Sequence, residues 1–258
     1  MLTKLIGEGL LKIKNILISQ PPPENDKSPY SDLIKQFNLN ACFRKFIKIE
    51  SISAKEFRKN RIPVQDYTAV IFTSRHAVDH YFSLCEELRV PISDQLKYFC
   101  TSEAIALYLQ KYVQFRKRKI FFGKSHFSDL IDVIKKQRDE KFLFACAESH
   151  KKEIPQLLRQ NKIQFKAAPI YRTVAEDVSD LDINKYDMFV FFSPIGIQSL
   201  RLNFPDFEQG ERIIAAFGKA TTKAAEKDGL KVQITAPTKT APSMTMAIQQ
   251  YMEGLNKK

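Results

Sequence analysis

The chain has 258 residues, of which 44% are hydrophobic and 27% charged, and this ordinary globular balance argues against a disordered chain. No apolar run approaches the ~18 residues that a membrane span needs, so we expect no membrane association. Lysine and arginine number 41 against 29 acidic residues, which gives a net charge of +12. That excess favours an anionic partner, such as a nucleic acid, an acidic lipid or a polyanionic small molecule.

The amino-terminal segment 1–14 lacks the long apolar region and the small-residue cleavage site of a signal peptide, so we expect a cytoplasmic protein. The cysteines lie far apart and form no CxxC pair, which predicts buried, reduced thiols. These cysteines are Cys42, Cys85, Cys100 and Cys146. His76 and His80 stand four residues apart, but without a third ligand nearby they predict no metal site.

Strands and helices alternate along the chain. The short apolar runs, which predict strands, are 15–19, 69–73, 97–100, 119–122 and 142–146. The helical patterns that alternate with them are 31–37, 77–89, 102–112, 128–136 and 153–160. Continuous apolar strands between helices are typical of parallel sheets covered on both faces. We therefore expect an α/β fold with flavodoxin-like or Rossmann-like sheets.

The densest group of positive charge is the segment 116–119, which lies directly before the apolar residues 120–122. We interpret it as a solvated entry to a strand. The other lysines are dispersed, whereas nucleic-acid binding favours a continuous basic stripe with exposed aromatic side chains. We therefore expect no nucleic-acid partner.

A strand, a serine and a helix start recur in both halves of the chain. The first copy spans 69–78 and the second spans 188–197, with a serine at the sixth position of each. A further strand–turn–helix unit at 98–104 recurs at 216–222 with nearly the same offset. Two units that recur in the same order indicate duplication of a small α/β domain.

The extended stretch 169–173 precedes an acidic segment that is poor in helix, so we place a domain boundary there. The second half has few strands before Met188 and is expected to take in the N-terminal strand, which makes one domain discontinuous. The predicted division is a domain of 14–42 plus 174–258, a domain of 50–168, and linker strands at 43–49 and 169–173.

The sequence contains neither the GxGxxG or GxxxxGK[ST] phosphate loops nor the GxSxG turn of serine hydrolases, which disfavours those functions. Instead, hydroxyl residues follow the predicted strands, at Ser74, Ser102, Ser193 and Thr221. At such turns α/β sheets place their ligands, and the next helix offers free N–H groups to an anion. Arg75 and Lys219 would add charge there, although simple N-capping explains any single hydroxyl.

Four segments, in order along the chain, carry a family resemblance. They are VIFTSRHAV at 70–78, PIYRT at 169–173, FVFFSPIGI at 189–197 and IAAFGKATTKAAEKDGLKV at 214–232. No single motif is specific, but the four together, with this order and spacing, are. From about residue 16 to residue 252 the chain resembles the uroporphyrinogen-III synthase family.

The resemblance implies two α/β domains joined by a two-stranded linker, with the active site in the interdomain cleft. It also implies a lyase that uses neither a metal nor an organic cofactor. Members of the family cyclise hydroxymethylbilane, a tetrapyrrole with eight carboxylates, to uroporphyrinogen III with inversion of ring D and loss of water. A monomer is expected, for which hydroxymethylbilane synthase is a candidate transient partner.

The candidate substrate-binding residues are Ser74, Arg75, Ser102, Ser193, Lys219 and Thr221. Tyr171 matches the linker tyrosine and is the candidate proton donor, with packing at the domain junction as the alternative. The turn at 100–103 departs from the family pattern, so either Ser102 replaces a threonine hydroxyl or Glu103 simply begins a helix. A non-catalytic sensor of an anionic metabolite would show the same turns, and this alternative stays open.

Overall fold

The computed structural model describes residues 13–23, 28–124, 126–150 and 152–256. The amino-terminal segment that predicted no signal peptide therefore lies largely outside the described residues. The chain divides into two compact units, which we call unit one (1–48 and 174–258) and unit two (49–173). It passes between them twice, so unit one is discontinuous in sequence.

The strands and helices alternate as the apolar runs predicted. The strands are β1 (Asn15–Ile18), β2 (Asn40–Phe43), β3 (Ile47–Ser51), β4 (Ala69–Phe72), β5 (Lys97–Cys100), β6 (Ile120–Phe122), β7 (Phe142–Ala147), β8 (Phe165–Ala175), β9 (Met188–Phe191), β10 (Ile213–Phe217) and β11 (Val232–Ala236). The α-helices are α1 (Pro29–Phe37), α2 (Ala54–Phe57), α3 (Arg75–Leu88), α4 (Glu103–Tyr108), α5 (Ile131–Lys135), α6 (Glu153–Gln160), α7 (Pro194–Asn203), α8 (Lys219–Lys227) and α9 (Met244–Asn256).

Unit one contains a sheet with the strand order β11-β10-β9-β1-β2, and its neighbouring strands pair in parallel. The N-terminal strand β1 thus joins the sheet formed by the end of the chain. Its side chains alternate between the two faces. Ile16 and Ile18 pack with Ile248 of α9, whereas Leu17 packs with Leu200 of α7. Helices therefore cover both faces, as continuous apolar strands require.

Unit two contains a sheet with the order β3-β8-β7-β4-β5-β6, in which β8, β7, β4, β5 and β6 pair in parallel. Val70 and Phe72 of β4 pack on one face, against α3 and α4. Ala69 and Ile71 pack on the other face, against α5 and α6. The prediction of two parallel-sheet α/β units is confirmed, while an active site in the cleft between them stays a prediction.

Several element ends differ from the predicted ones. In the predicted helix 102–112, the α-helix ends at Tyr108 and is followed by a 3-10 turn, Leu109–Lys111. The predicted helix 128–136 likewise begins with a 3-10 turn, Phe127–Leu130, before α5. Such tighter turns are common where a helix begins or ends, and apolar periodicity alone does not distinguish them. Of the predicted linker segments, 169–173 lies inside β8.

The cysteines are unpaired, and Cys85, Cys100 and Cys146 are buried as expected. Cys42 is only half-buried, because it belongs to β2 at the edge of its sheet. Burial raises the pKa of Cys85 to about 11 and those of Cys100 and Cys146 to about 12, so these thiols stay protonated. In the described part of the chain, every helix is too short or too polar to cross a lipid bilayer.

Phe99 of β5 gives a direct test of the core of unit two. It is fully buried, its ring stacks with Phe121 at 4.9 Å, and it meets Phe142 edge-on at 5.1 Å. Phe99→Ala should lower the free energy of unfolding by about 3–5 kcal/mol, measured by urea denaturation. Leu107→Ala, at a half-exposed site in the same unit, should cost less than about 0.5 kcal/mol. Equal losses would contradict the assignment of Phe99 to the core.

Candidate functional site

The two serines of the internal repeat occupy the same structural position in the two units. Ser74 follows β4 and caps α3, and its Oγ accepts the Ala77 N–H at 3.0 Å. Ser193 follows β9 and caps α7, and its Oγ accepts the Gly196 N–H at 3.1 Å. Both serines have an extended backbone and are half-buried. The capping interpretation is therefore correct for both, and each hydroxyl still has its own hydrogen to donate.

The second pair of repeated turns is less alike. Glu103 begins α4, and Ser102 occupies the N-cap without a side-chain bond to any described N–H group. Gly218 occupies the N-cap of α8 with φ +85, a conformation that favours glycine. Lys219 begins α8 and is exposed, whereas Thr221 is only 2% exposed in the first turn. Thr221 therefore presents almost no surface to a ligand.

Tyr171 lies beside Ser74, although 97 residues separate them. The hydroxyl of Tyr171 is 3.4 Å from Ser74 Oγ, and either atom can be the donor. Strand β8 carries Tyr171 to the edge of the sheet where β4 ends. Ser74 and Tyr171 are thus the predicted site residues that unit two brings into direct contact.

His80 of α3 completes this group and was not assigned to it by the sequence. Its ring stacks on Tyr171 with centroids 5.2 Å apart, and its Nδ1 is 2.8 Å from Ser51 Oγ. Burial lowers the pKa of His80, the nearby charge of His76 lowers it further, and Asp79 opposes the shift. The net effect lowers the pKa of His80 and favours its neutral imidazole.

Arg75 lies on the exposed first turn of α3, with its guanidinium carbon 5.4 Å from the centre of the Tyr108 ring. Tyr108 is held in turn by Asp79, which accepts its hydroxyl at 2.9 Å and that of Tyr112 at 2.5 Å. Burial raises the pKa of Asp79, but the hydrogen bonds from Tyr112, Lys111 and Tyr108 outweigh burial and lower it. This carboxylate therefore stays charged and fixes the platform on which Arg75 rests.

Arg172, the residue after Tyr171, forms an ion pair with Glu56 and lies 4.0 Å from Glu148. Its Nε is buried and has no hydrogen-bond partner among the described residues. The pair ties β8 to α2 next to the tyrosine. The motif at 169–173 contained this arginine, but its acidic partners come from distant segments that no local pattern connects to it.

No group of three or more histidine, cysteine or acidic side chains in the described ranges could hold a metal ion. His76 and His80 are accordingly without a third ligand there. What the tertiary structure adds is the stacking of the His80 ring on Tyr171.

These features define the class: an α/β protein of two parallel-sheet units, with hydroxyl groups placed where strands end and helices begin. A family model described as uroporphyrinogen-III synthase HemD matches residues 28–246. The chain therefore belongs to the uroporphyrinogen-III synthase family, enzymes of tetrapyrrole biosynthesis.

One solved structure with a TM-score above 0.5 shows the same fold. Uroporphyrinogen-III synthetase from Helicobacter pylori is 16% identical, with 93% of this chain and 99% of that chain covered and a TM-score of 0.53. A mutant uroporphyrinogen III synthase from Thermus thermophilus is 12% identical, with 95% and 100% covered and a TM-score of 0.46. A comparison with curated protein sequences finds no match.

Stability measurements can distinguish the two serines that cap a helix from Ser102, which makes no capping bond. Ser74→Ala and Ser193→Ala each remove an acceptor for a helix N–H group and should lower the free energy of unfolding by about 0.5–2 kcal/mol. Ser102→Ala is the matched control, because this serine occupies the same position without a capping bond, and it should cost less than about 0.5 kcal/mol. Urea titrations measure the three values. A loss at Ser102 as large as at Ser74 would refute the difference in capping.

The pH dependence of stability tests the environment of His80. Because the folded pKa of His80 lies below 6.5, the unfolded chain binds its proton first as the pH falls. The free energy of unfolding should therefore decrease between about pH 7.5 and about pH 5.5, and His80→Gln should show a smaller decrease. His76→Gln should change this pH dependence less than His80→Gln does, because burial lowers the pKa of His80 more than the charge of His76 does. Urea denaturation at both pH values measures this change. An identical decrease in wild type and His80→Gln would contradict a lowered pKa at His80.

Proposed function

We propose that the protein is a uroporphyrinogen-III synthase, a cyclising lyase that converts hydroxymethylbilane to uroporphyrinogen III with inversion of ring D and loss of water. The match of the family model over residues 28–246 carries this proposal. The net charge of +12 supports it, because the substrate is a polycarboxylate. The chemistry uses groups that the chain itself supplies, without a cofactor.

Substrate carboxylates would be bound at the starts of helices. Ser74 and Ser193 each accept a hydrogen bond from their own helix, which leaves the hydroxyl hydrogen to donate to a carboxylate. The first backbone N–H groups of α3 and α7 would add to this binding. Arg75 and Lys219 are exposed on first turns and supply charge-assisted hydrogen bonds. Thr221, which is buried, would support its turn and not contact substrate.

Tyr171 is the proposed proton donor. Its phenol would protonate the hydroxymethyl oxygen, so that the carbon–oxygen bond breaks, water leaves and an electrophilic azafulvene remains. The substituted carbon of the last pyrrole then attacks that carbon and forms a spiro intermediate. Fragmentation and recombination close the ring with this pyrrole inverted, and a proton released on closure restores the phenol.

The contacts around Tyr171 support this role. Ser74 Oγ, 3.4 Å away, orients the hydroxyl, and the His80 ring packs on the face of the phenol. Positioning of the two substrate ends supplies most of the rate, up to about 7–11 kcal/mol for well-oriented groups.

The proposal includes a cytoplasmic, monomeric enzyme that receives hydroxymethylbilane from its synthase. The family resemblance supports this setting, and the reactivity of the substrate favours prompt transfer between the two enzymes. Substrate release into solution allows direct closure to the non-inverted isomer.

A coupled assay tests both the reaction and the role of Tyr171. Hydroxymethylbilane is made by its own synthase, this protein is added, and the oxidised uroporphyrin isomers are separated by chromatography. We expect isomer III from the wild type, and Tyr171→Phe should lower kcat by about 10²-fold or more. Tyr67→Phe is the matched control and should leave kcat unchanged. Ser74→Ala removes one of several donors and should lower kcat/KM by less than about tenfold.

Isomer I alone, from protein shown by circular dichroism to be folded, would refute the synthase and favour the sensor of an anionic metabolite. Full activity in Tyr171→Phe would refute the proton donor while leaving the synthase in place. Complete loss of turnover in a folded Ser74→Ala variant would contradict the distributed binding.

A further inference from the structure

The basic segment 116–119 is the predicted solvated strand entry except at its last residue. Lys117 and Arg118 are exposed, but Lys119 is only 8% exposed. The backbone holds Lys119 in place, because its N–H donates to the Arg116 carbonyl at 2.9 Å and its carbonyl accepts the Tyr98 N–H at 2.7 Å. The turn therefore directs the Lys119 side chain into the protein interior, just before β6.

Lys119 contributes to the wall of a cavity of about 250 Å³ in unit two. The buried part of the wall also includes Leu96, Tyr98 and Ile120, while Asp94 lies exposed at the rim. These residues belong to the loops and strands at the amino ends of β5 and β6. Ser74 and Ser102 follow carboxyl ends of strands in the same sheet, so the cavity lies at the opposite edge from the group around Tyr171.

The ammonium of Lys119 lacks the partner that its burial demands. Its Nζ is shielded from solvent and has no hydrogen-bond partner in the part of the chain that the structure describes. A buried, unpaired charge is strongly destabilising, so native proteins pair such groups. Lys97, at the start of β5, follows this rule, since its Nζ lies 2.6 Å from both Glu140 and Gln137. An anion from outside the chain would supply the same compensation to Lys119.

We propose that this cavity binds a small organic monoanion, a carboxylate on a short apolar body. Lys119 and the half-buried Arg116 provide two positive charges, and Asp94 at the rim cancels one, which leaves a site suited to a single negative charge. Leu96, Tyr98 and Ile120 provide an apolar wall. The volume is below the 300–1,000 Å³ typical of drug-sized ligands, so the ligand is smaller than those.

The first test compares three probes at constant ionic strength: sodium butyrate, butanol and inorganic phosphate. Butanol has the apolar body without the charge, and phosphate has the charge without the body. Butyrate should raise the Tm saturably, by roughly 5–10 °C at a hundredfold excess over its Kd, and the other two should not. Phosphate or butanol binding as tightly as butyrate would overturn the proposal.

Matched variants locate the effect. Lys119→Met should abolish the butyrate-dependent rise in Tm, while Lys117→Met, which removes an exposed charge two residues away, should keep it. Equal loss in both variants would mean a general charge effect and would overturn the site. Turnover of hydroxymethylbilane plays no part in these measurements, so their outcome is independent of the proposed synthase activity.

A measurement on the wild type keeps the test decisive if Lys119→Met does not fold. In protein with ¹³C-labelled isoleucine methyl groups, butyrate should shift the signals of Ile92 and Ile120, which line the cavity. The signal of Ile234, in the core of unit one, should not move. Absence of a saturable shift at Ile120 up to about 100 mM butyrate would overturn the proposal.

Discussion

The parallel pairing of β4 inside its sheet is the constraint on which the candidate site depends. All four residues of β4 are fully buried, and the strand is hydrogen-bonded to β5 on one side and β7 on the other. Parallel strands end at a common edge, so the residues that follow β4 and β5 are brought to that edge together. The long strand β8 reaches the same edge and places the Tyr171 hydroxyl 3.4 Å from Ser74. Packing of the apolar strands therefore determines the distance between Ser74 and Tyr171.

Helix capping by Ser74 and Ser193 leaves their hydroxyl hydrogens available for a ligand. In both Ser74 and Ser193 the oxygen accepts a bond from the helix, and this bond also fixes the side chain rotamer. The hydrogen then points elsewhere and costs little further entropy to order on binding. A fixed hydroxyl at a helix start is for this reason a better carboxylate donor than one on a mobile loop. Such donors recur in both units, so under the proposed function the binding free energy would be shared among many groups.

The net charge does not show which basic side chains are buried or which acidic groups lie near them. Most of the excess positive charge lies on the surface, but two basic side chains of unit two carry buried nitrogens without hydrogen-bond partners among the described residues. Arg172 is compensated by Glu56 and Glu148, which lock β8 beside Tyr171. Among the described residues, Lys119 Nζ has no hydrogen-bond partner, whereas Lys97 in the same sheet is paired with Glu140. Whether a buried cation is compensated thus depends on which acidic side chains the fold places near it.

The sequence determined the alternation of strands and helices, the two parallel-sheet units and the serines at Ser74 and Ser193. These features follow from local apolar patterning and from short motifs, which act over a few residues. Only the tertiary structure decided that Thr221 and Lys119 are buried, that the His80 ring stacks on Tyr171, and that Ser51 contacts His80. Burial and contact between residues far apart in sequence depend on strand order and packing, and a local pattern contains no information about either.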